Sequence, residues 1–235
     1  RNFKGTTGNI AIGEKAFSQV QDASHTHNIA IGYESLYNSD TNIRAQNVAL
    51  GYQAGKGGTG SSDEYGIYIG SQTGENITTG DYNTLIGYYA GQLVNSGYDN
   101  VLIGKNAGNA ITSGHNNIVI GEYGGTSNMS GEIHLYADGN KRISVDSSGV
   151  VQFNNAYTFP TSDGTANQIL QTNGSGALSF ATSTAVVTGL NNQTADRLVT
   201  IGSTTTELDG EANLTFNGST LTVTGNANIG GNLTV

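Results

Sequence analysis

The sequence predicts an all-β protein: an elongated repeat β-solenoid or β-roll followed by short β-hairpin modules, assembled as an intertwined homotrimer. Three observations lead there. An apolar cassette returns seven times, as NIAIG, NIAIG, NVALG, GIYIG, NTLIG, NVLIG and NIVIG, each copy closed by a glycine. Those glycines, Gly13, Gly32, Gly51, Gly70, Gly87, Gly104 and Gly121, are spaced 19, 19, 19, 17, 17 and 17 residues apart. A fixed period of this kind marks stacked supersecondary units rather than a compact globule. Within the cassette, large aliphatics alternate with a middle residue at a period of two, which is the signature of a strand. Finally, the 235 residues are only 35% hydrophobic and include 35 glycines, too little apolar material for a thick core. At 11% charged, with regular apolar cassettes and 12 tyrosines, the chain does not have the composition of a disordered one.

The repeat region occupies residues 1–131. Its unit reads approximately N-x-L-I-G-x-x-A-G, a short apolar piece, then T-x-G-x-x-N, as in NTLIGYYAG after ITTGDYN. Gly, Asn, Thr and Ser recur in every window and oppose a helix. The cassette glycine permits a sharp, left-handed bend that a side chain would obstruct. The recurring asparagines suit side-chain ladders between rungs, or Asx turns. The first and third cassette positions, from Ile10/Ile12 to Ile118/Ile120, are nearly constant, and are expected to face the interior of each coil. The middle position runs Ala11, Ala30, Ala49, Tyr68, Leu85, Leu102, Val119 and is expected to face outward, toward another subunit. Seven rungs about 4.8 Å apart give a rod of roughly 34 Å. Each rung carries so few apolar side chains that neighbouring chains are expected to cover them, with a trimer the preferred arrangement.

After Gly131 the period stops. Residues 132–160 read as a β-hairpin connector with turns at Asp138-Gly139-Asn140 and Ser147-Ser148-Gly149, and hold the single proline, Pro160. Residues 161–202 form a small β module and linker, with a turn at Asn173-Gly174. Residues 203–235 are a C-terminal β-repeat segment, NLTF, TLTV and NLTV, with an Asn217-Gly218 hairpin turn. The segment is expected to continue beyond Val235, because the chain begins at Arg1 without Met and ends on a strand-like NLTV.

Net charge is -9 and the pI about 4.6, without a basic run, so neither nucleic acid nor an anionic membrane surface has an electrostatic footprint here. There is no cysteine, hence no disulfide and no thiolate chemistry. No stretch has the apolar length of a membrane span, and none resembles a signal peptide.

Few residues suggest chemistry. His25-Thr26-His27 has a metal-like spacing; in a strand the two imidazoles share a face, and three copies around a threefold axis would offer six nitrogens to an octahedral first-row transition metal. Two solvated loop histidines are the simpler account of the same residues, and no other cofactor is expected. His115 and His134 read as isolated and ordinary. Tyr33, Tyr52 and Tyr88 each follow a cassette glycine, with Tyr82, Tyr89, Tyr98 and Tyr123 nearby. Such rings could stack on sugars, but stacking on one another to shield a thin core is the preferred reading. Asp63-Glu64 and Glu207/Asp209/Glu211 could bind Ca²⁺ but match no loop signature. No carboxylate pair stands out for glycoside cleavage. Gly55-Lys56-Gly57-Gly58-Thr59-Gly60 lacks the preceding glycine, the following Ser/Thr and the helix of a phosphate loop. The chain is therefore expected not to be an enzyme.

NTLIGYYAG with ITTGDYN, and NVLIGKNAG with ITSGHNN, resemble repeats of phage tail-fibre and virion appendage proteins. They are also similar to the left-handed β-roll heads of trimeric autotransporter adhesins, whose shorter repeats carry an analogous N-x-x-A-I-G cassette. TFPTSDGTANQILQTNGSGALSFA and ELDGEANLTFNGSTLTVTGNANIGGNLTV resemble tail fibres of marine phages and cyanophages. The resemblance implies a structural homotrimeric fibre on a virion, serving as a rigid spacer and in host attachment. Its implied partners are its own copies, other virion or tail proteins and a host-surface glycan, without nucleic acid or membrane insertion. A bacterial trimeric adhesin head at the cell surface and a glycan-depolymerising tailspike are the alternatives; an ice-binding solenoid ranks last, for want of a Thr-x-Thr ladder.

Overall fold

The computed structural model describes residues 7–18, 25–38, 44–182, 190–191, 197–201 and 208–226, the stretches 190–191, 197–201 and 208–212 by backbone alone. The seven cassettes form seven three-residue strands: β1 (Ile10–Ile12), β2 (Ile29–Ile31), β3 (Val48–Leu50), β4 (Ile67–Ile69), β5 (Thr84–Ile86), β6 (Val101–Ile103) and β7 (Ile118–Ile120). Each pairs in parallel with the next, repeat position on repeat position, so that Ile10 meets Ile29 and Val101 meets Ile118. The repeat is thus one solenoid coil, and the chain makes about seven of them. An eighth strand, β8 (Ile133–Ala137), joins the stack in parallel, Ile118 opposite Ile133, only 15 residues on. Its sequence hides it: where β7 is followed by Gly121, this rung carries Tyr136, whose carbonyl oxygen lies where a Cβ of Gly121 would fall.

Two columns of residues hold the coils in register. The first is the cassette glycine. A Cβ on Gly32, Gly51, Gly70 or Gly87 would lie 2.2–2.5 Å from the carbonyl oxygen of the next glycine in the column, and φ there is +133° to +139°. Both the space and the backbone conformation exclude a side chain. The second is the asparagine preceding each strand, buried at Asn28, Asn47, Asn83, Asn100 and Asn117. Its Oδ1 accepts the backbone N–H at the same position one rung on, as Asn83 does from Asn100 (3.1 Å) and Asn100 from Asn117 (3.2 Å). Its Nδ2 donates to a carbonyl three residues earlier in that next rung, as Asn83 to Gly97 (2.7 Å) and Asn100 to Gly114 (2.9 Å). One side chain therefore satisfies a donor and an acceptor that the bend would otherwise leave buried and unpaired. The column is interrupted once, at Gly66, because the Tyr68 hydroxyl occupies the space: a Cβ on Gly66 would lie 2.2 Å from it.

The two strand faces are the reverse of the sequence expectation. The middle residues Ala30, Ala49, Tyr68, Leu85, Leu102 and Val119 are fully buried inside the coil, whereas Ile10, Ile12, Ile31, Ile67, Ile118 and Ile120 are exposed. The reason is volume exchange within the coil. The alanine rungs of β1 and β2 place Phe17 and Leu36 at the following corner; the alanine rung of β3 has Gly55 there, with the Tyr68 and Leu36 side chains filling the space, and the rungs with a large strand residue have Gly74, Gly91 and Gly108. A Cβ on Gly91 would lie 2.8 Å from Leu85, and one on Gly108 2.5 Å from Leu102. All these corner residues have φ between +46° and +59°. For Phe17 and Leu36 that conformation costs about 1–2 kcal/mol each, offset by burying the side chain. The interior varies because its filling is shared between two positions, while the outer face stays constant.

β8 turns the stack into an antiparallel meander, followed by β9 (Asn140–Val145), β10 (Val151–Phe153) and β11 (Tyr157–Thr158). Beyond it, β12 (Gln168–Thr172) pairs with β13 (Leu178–Thr182) around a turn in which Asn173 Oδ1 accepts from Ser175 (2.8 Å) and Ala177 (3.2 Å). β14 (Leu190–Asn191), β15 (Arg197–Ile201), β16 (Leu208–Phe216) and β17 (Leu221–Val223) form a four-stranded sheet. Asn217 closes its β16–β17 turn by accepting from Ser219 and Thr220. Among the described residues there is no helix. The chain divides into two units, one of Arg1–Asp163 with Thr172–Ser179 and one of Gly164–Gln171 with Phe180–Val235.

The asparagine column gives a direct test. Asn100→Ala orphans the N–H of Asn117 and the carbonyl of Gly114, and is expected to cost about 1–3 kcal/mol for each group in urea unfolding. The same change at exposed Asn95, outside the column, is expected to stay within about 0.5 kcal/mol.

Candidate functional site

The most extensive chemical feature of the described surface is the outer face of the parallel sheet. It carries two aliphatic side chains per rung from β1 to β8, broken only by Thr84, and no charge. The first and third residues of β1 and β7 are exposed, and those of β3, β5 and β6 are half-buried. The strands present this face because each is three residues long and the middle one is committed inward. An uncharged aliphatic strip of this length on a water-facing sheet is the signature of an interaction surface. The hairpins beyond it also expose apolar residues, with Ile169 at 49%, Phe216 at 49% and Leu221 at 57%.

Aromatic columns flank the strip. On the far side of the cassette glycine, Tyr33 and Tyr52 stack with centroids 5.4 Å apart and planes at 10°. On the near side, Tyr65 and Tyr82 stack at 4.8 Å and 1°, and Tyr98 stacks on His115 at 4.6 Å. Tyr123 stacks on Tyr136 at 4.7 Å. Tyr33 with Tyr52 and Tyr65 with Tyr82 are at equivalent repeat positions and lie one above another, whereas Tyr136 stands at the position of Gly121 and reaches Tyr123 from there.

His25 and His27 are not brought together. His25 is fully buried, its Nδ1 accepting the Arg44 backbone N–H at 2.9 Å and its ring edge-on to Phe17; His27 is exposed, at φ +58°. The left-handed residue separates their directions, so the strand geometry on which a shared face depended is absent. Among the described residues, no group of three or more His, Cys, Asp or Glu side chains is placed to hold a metal. His115 lies in its stack. His134 is buried as the inward residue of β8, with Nε2 2.8 Å from Glu132.

The sequence reading missed an interior polar column. His25, Arg44 and Asp63 occupy one repeat position, four residues before each strand, where the 17-residue rungs have Gly80, Gly97 and Gly114. All three side chains are fully buried. Arg44 Nη2 lies 2.7 Å from Asp63 Oδ1 and donates to the Gly55 carbonyl at 2.8 Å; the Tyr68 hydroxyl donates to Asp63 Oδ2 at 2.8 Å. Burial pushes the Asp63 carboxyl up, against the opposing pull of Arg44, and burial with the Asp63 charge pushes the Tyr68 hydroxyl well up. Arg44 Nε and Nη1 make no hydrogen bond. Aligning the repeats on their glycines would have exposed this column; a search for fixed catalytic spacings could not.

The remaining candidates are structural contacts. Glu34 accepts from Gln53 (2.8 Å) and pairs with Lys15 (3.1 Å) and Lys56 (3.4 Å), and the Gln53 hydrogen bond above all lowers its carboxyl to about 2. Lys56, from the loop that superficially resembles a phosphate cradle, is thus engaged by a carboxylate. Asp63 points inward while Glu64 is half-buried at the surface, so they do not converge. Glu207 and the side chains of Asp209 and Glu211 lie outside the described residues. Among those described, no helix is long and apolar enough to cross a membrane.

Removing one partner of the interior ion pair leaves a buried charge. Asp63→Ala is expected to cost about 3–5 kcal/mol in urea unfolding, whereas Arg44→Met, Asp63→Leu and Tyr68→Phe together should recover most of that loss.

No protein-family model matches the chain, and neither a curated protein nor a solved structure matches it.

Proposed function

We propose that this chain is a segment of a homotrimeric fibre of a virion, a phage tail fibre or related appendage, serving as a rigid spacer and in host attachment. The observation that carries the reading is the outward aliphatic strip of the parallel sheet. A solenoid that buries one side chain per strand and turns two aliphatics to water is short of its own cover. Copies of the same chain supply that cover with matching rung spacing. In this arrangement three strips face a common axis, and the apolar residues exposed on the later hairpins pack in the same way. The coil-to-coil hydrogen bonds make the rod stiff along its axis, and threefold display turns weak receptor contacts into avidity. The role is mechanical and adhesive, without a catalytic step. The partners are the other copies, neighbouring virion proteins and a host-surface receptor; neither nucleic acid nor membrane insertion has a place in it. The resemblance of the cassettes and of the C-terminal wording to phage fibres supports placing the chain on a virion.

Lysine on the strip tests the reading. Ile69→Lys, Ile86→Lys and Ile103→Lys point three charges outward from neighbouring rungs without entering the coil interior. The triple variant is expected to keep the β-rich circular dichroism spectrum and to sediment at one third of the parent mass. An unchanged mass would contradict the proposal.

A further inference from the structure

Two surface turns of the chain share one pattern of hydrogen bonds. Between β9 and β10, Asp146 Oδ1 accepts from Ser148 N (2.9 Å) and Val150 N (3.0 Å), and Asp146 N donates to the Val150 carbonyl (3.1 Å). Between β12 and β13, Asn173 Oδ1 accepts from Ser175 N (2.8 Å) and Ala177 N (3.2 Å), and Asn173 N donates to the Ala177 carbonyl (3.1 Å). The sequences are DSSGV and NGSGA, so an amide stands where the first turn has a carboxylate. Both side-chain bonds of residue 173 are to its oxygen, which amide and carboxylate share. The turn therefore accommodates Asn and Asp alike.

Asn173 also has a reactive neighbourhood. It is exposed, and Gly174 follows it at φ +81°, where a Cβ would meet nothing within 4 Å, so the Gly174 nitrogen is uncrowded and open to water. Gly174 N donates to Thr172 Oγ1 at 3.1 Å. The two N–H groups on Asn173 Oδ1 are placed to stabilise negative charge that develops on that oxygen. A nucleophile, an acceptor for its proton and two donors on the electrophile's oxygen thus meet at one amide. The ladder asparagines are the opposite case. Asn83 and Asn100 are buried, both ends of each amide are hydrogen-bonded, and the branched residues Thr84 and Val101 follow them.

We propose that Asn173 is a self-modification site, at which the Gly174 nitrogen attacks the side-chain carbonyl carbon and converts the residue to aspartate or isoaspartate. The Gly174 N–Cγ bond forms and the Cγ–Nδ2 bond breaks. The Gly174 amide proton leaves through the Thr172 hydroxyl to water, and Nδ2 takes a solvent proton and departs as ammonia. Water then opens the five-membered succinimide at either carbonyl. No atom changes oxidation state, and each conversion adds one negative charge to a chain already at -9. The aspartyl product keeps the turn, in the form that Asp146 already has. The isoaspartyl product lengthens the backbone by one carbon and loses the hydrogen bonds from Ser175 and Ala177. The reaction depends on neither assembly nor receptor binding.

Asn217-Gly218 is an internal reference, the same dipeptide in another exposed turn. Asn217 Oδ1 likewise accepts from Ser219 N (3.1 Å) and Thr220 N (2.8 Å), but among the described residues nothing accepts from Gly218 N. The experiment incubates the whole chain in mildly alkaline heavy-oxygen water and follows both peptides by mass spectrometry, with electron-transfer fragmentation to separate aspartate from isoaspartate. The expected result is conversion at residue 173 about fivefold faster than at residue 217, the worth of one hydrogen bond, with one heavy oxygen gained. In urea the two rates converge. Thr172→Val, a change that suits an exposed strand position, removes the advantage of residue 173 and leaves residue 217 unchanged, while Thr172→Ser retains it. Equal rates at the two sites in the folded chain overturn the proposal. So does a rate at residue 173 that is unaffected by Thr172→Val, or one that is slower in the folded chain than in urea.

Discussion

Close approach of one glycine to the next is the constraint on which this structure depends. At Gly32, Gly51, Gly70 and Gly87 the following rung's carbonyl oxygen lies where a Cβ would be, so successive coils approach at backbone distance. That approach brings the strands into register, like position on like position. Register in turn aligns the asparagines, whose amides complete the hydrogen bonding of the bend. It also aligns the tyrosines into stacks and the aliphatics into a continuous outer strip. The outward features of the solenoid are thus consequences of translation along one axis.

The same regularity leaves the interior to be filled by exchange. Ala30 is accommodated by Leu36, whereas Leu85 and Leu102 require Gly91 and Gly108 at the corner. Where the chain changes from the 19- to the 17-residue rung, Tyr68 takes the place of an asparagine amide and anchors its hydroxyl on Asp63. The Arg44–Asp63 pair fills the remaining space of the larger coils. Buried ion pairs contribute little net stability, but this one occurs at a single level of a stack of similar rungs. A slip by one repeat would separate it, so it favours the native register over its neighbours.

Much of the solenoid was legible in the sequence. Every strand from β1 to β7 falls on its cassette, because the glycine interval and the period of two report backbone geometry directly. The asparagine ladder followed from the same alignment. What could not be read was which strand face lies inside. Both faces are apolar, and constancy, ordinarily the mark of a core, here marks the outer surface, while the true interior varies as strand and corner share its volume. β8 is legible as the first strand of the hairpin connector, but its place in the parallel stack is not, because His134 and Tyr136 replace the expected cassette residues although the hydrogen-bonding path continues. His25 and His27 were paired on the assumption of strand alternation, which the left-handed backbone at His27 breaks. The polar column of His25, Arg44 and Asp63 was present in the aligned repeats, but its members are each one rung apart and carry no local signature.

Copies of this chain are proposed to cover the aliphatic strip, and the native mass of the purified chain tests that proposal most directly. Multi-angle light scattering should give three times the 24.3 kDa of the single chain, independent of dilution through the micromolar range. A stable, soluble monomer at 24.3 kDa would contradict it, and would mean that the strip faces water or a different partner.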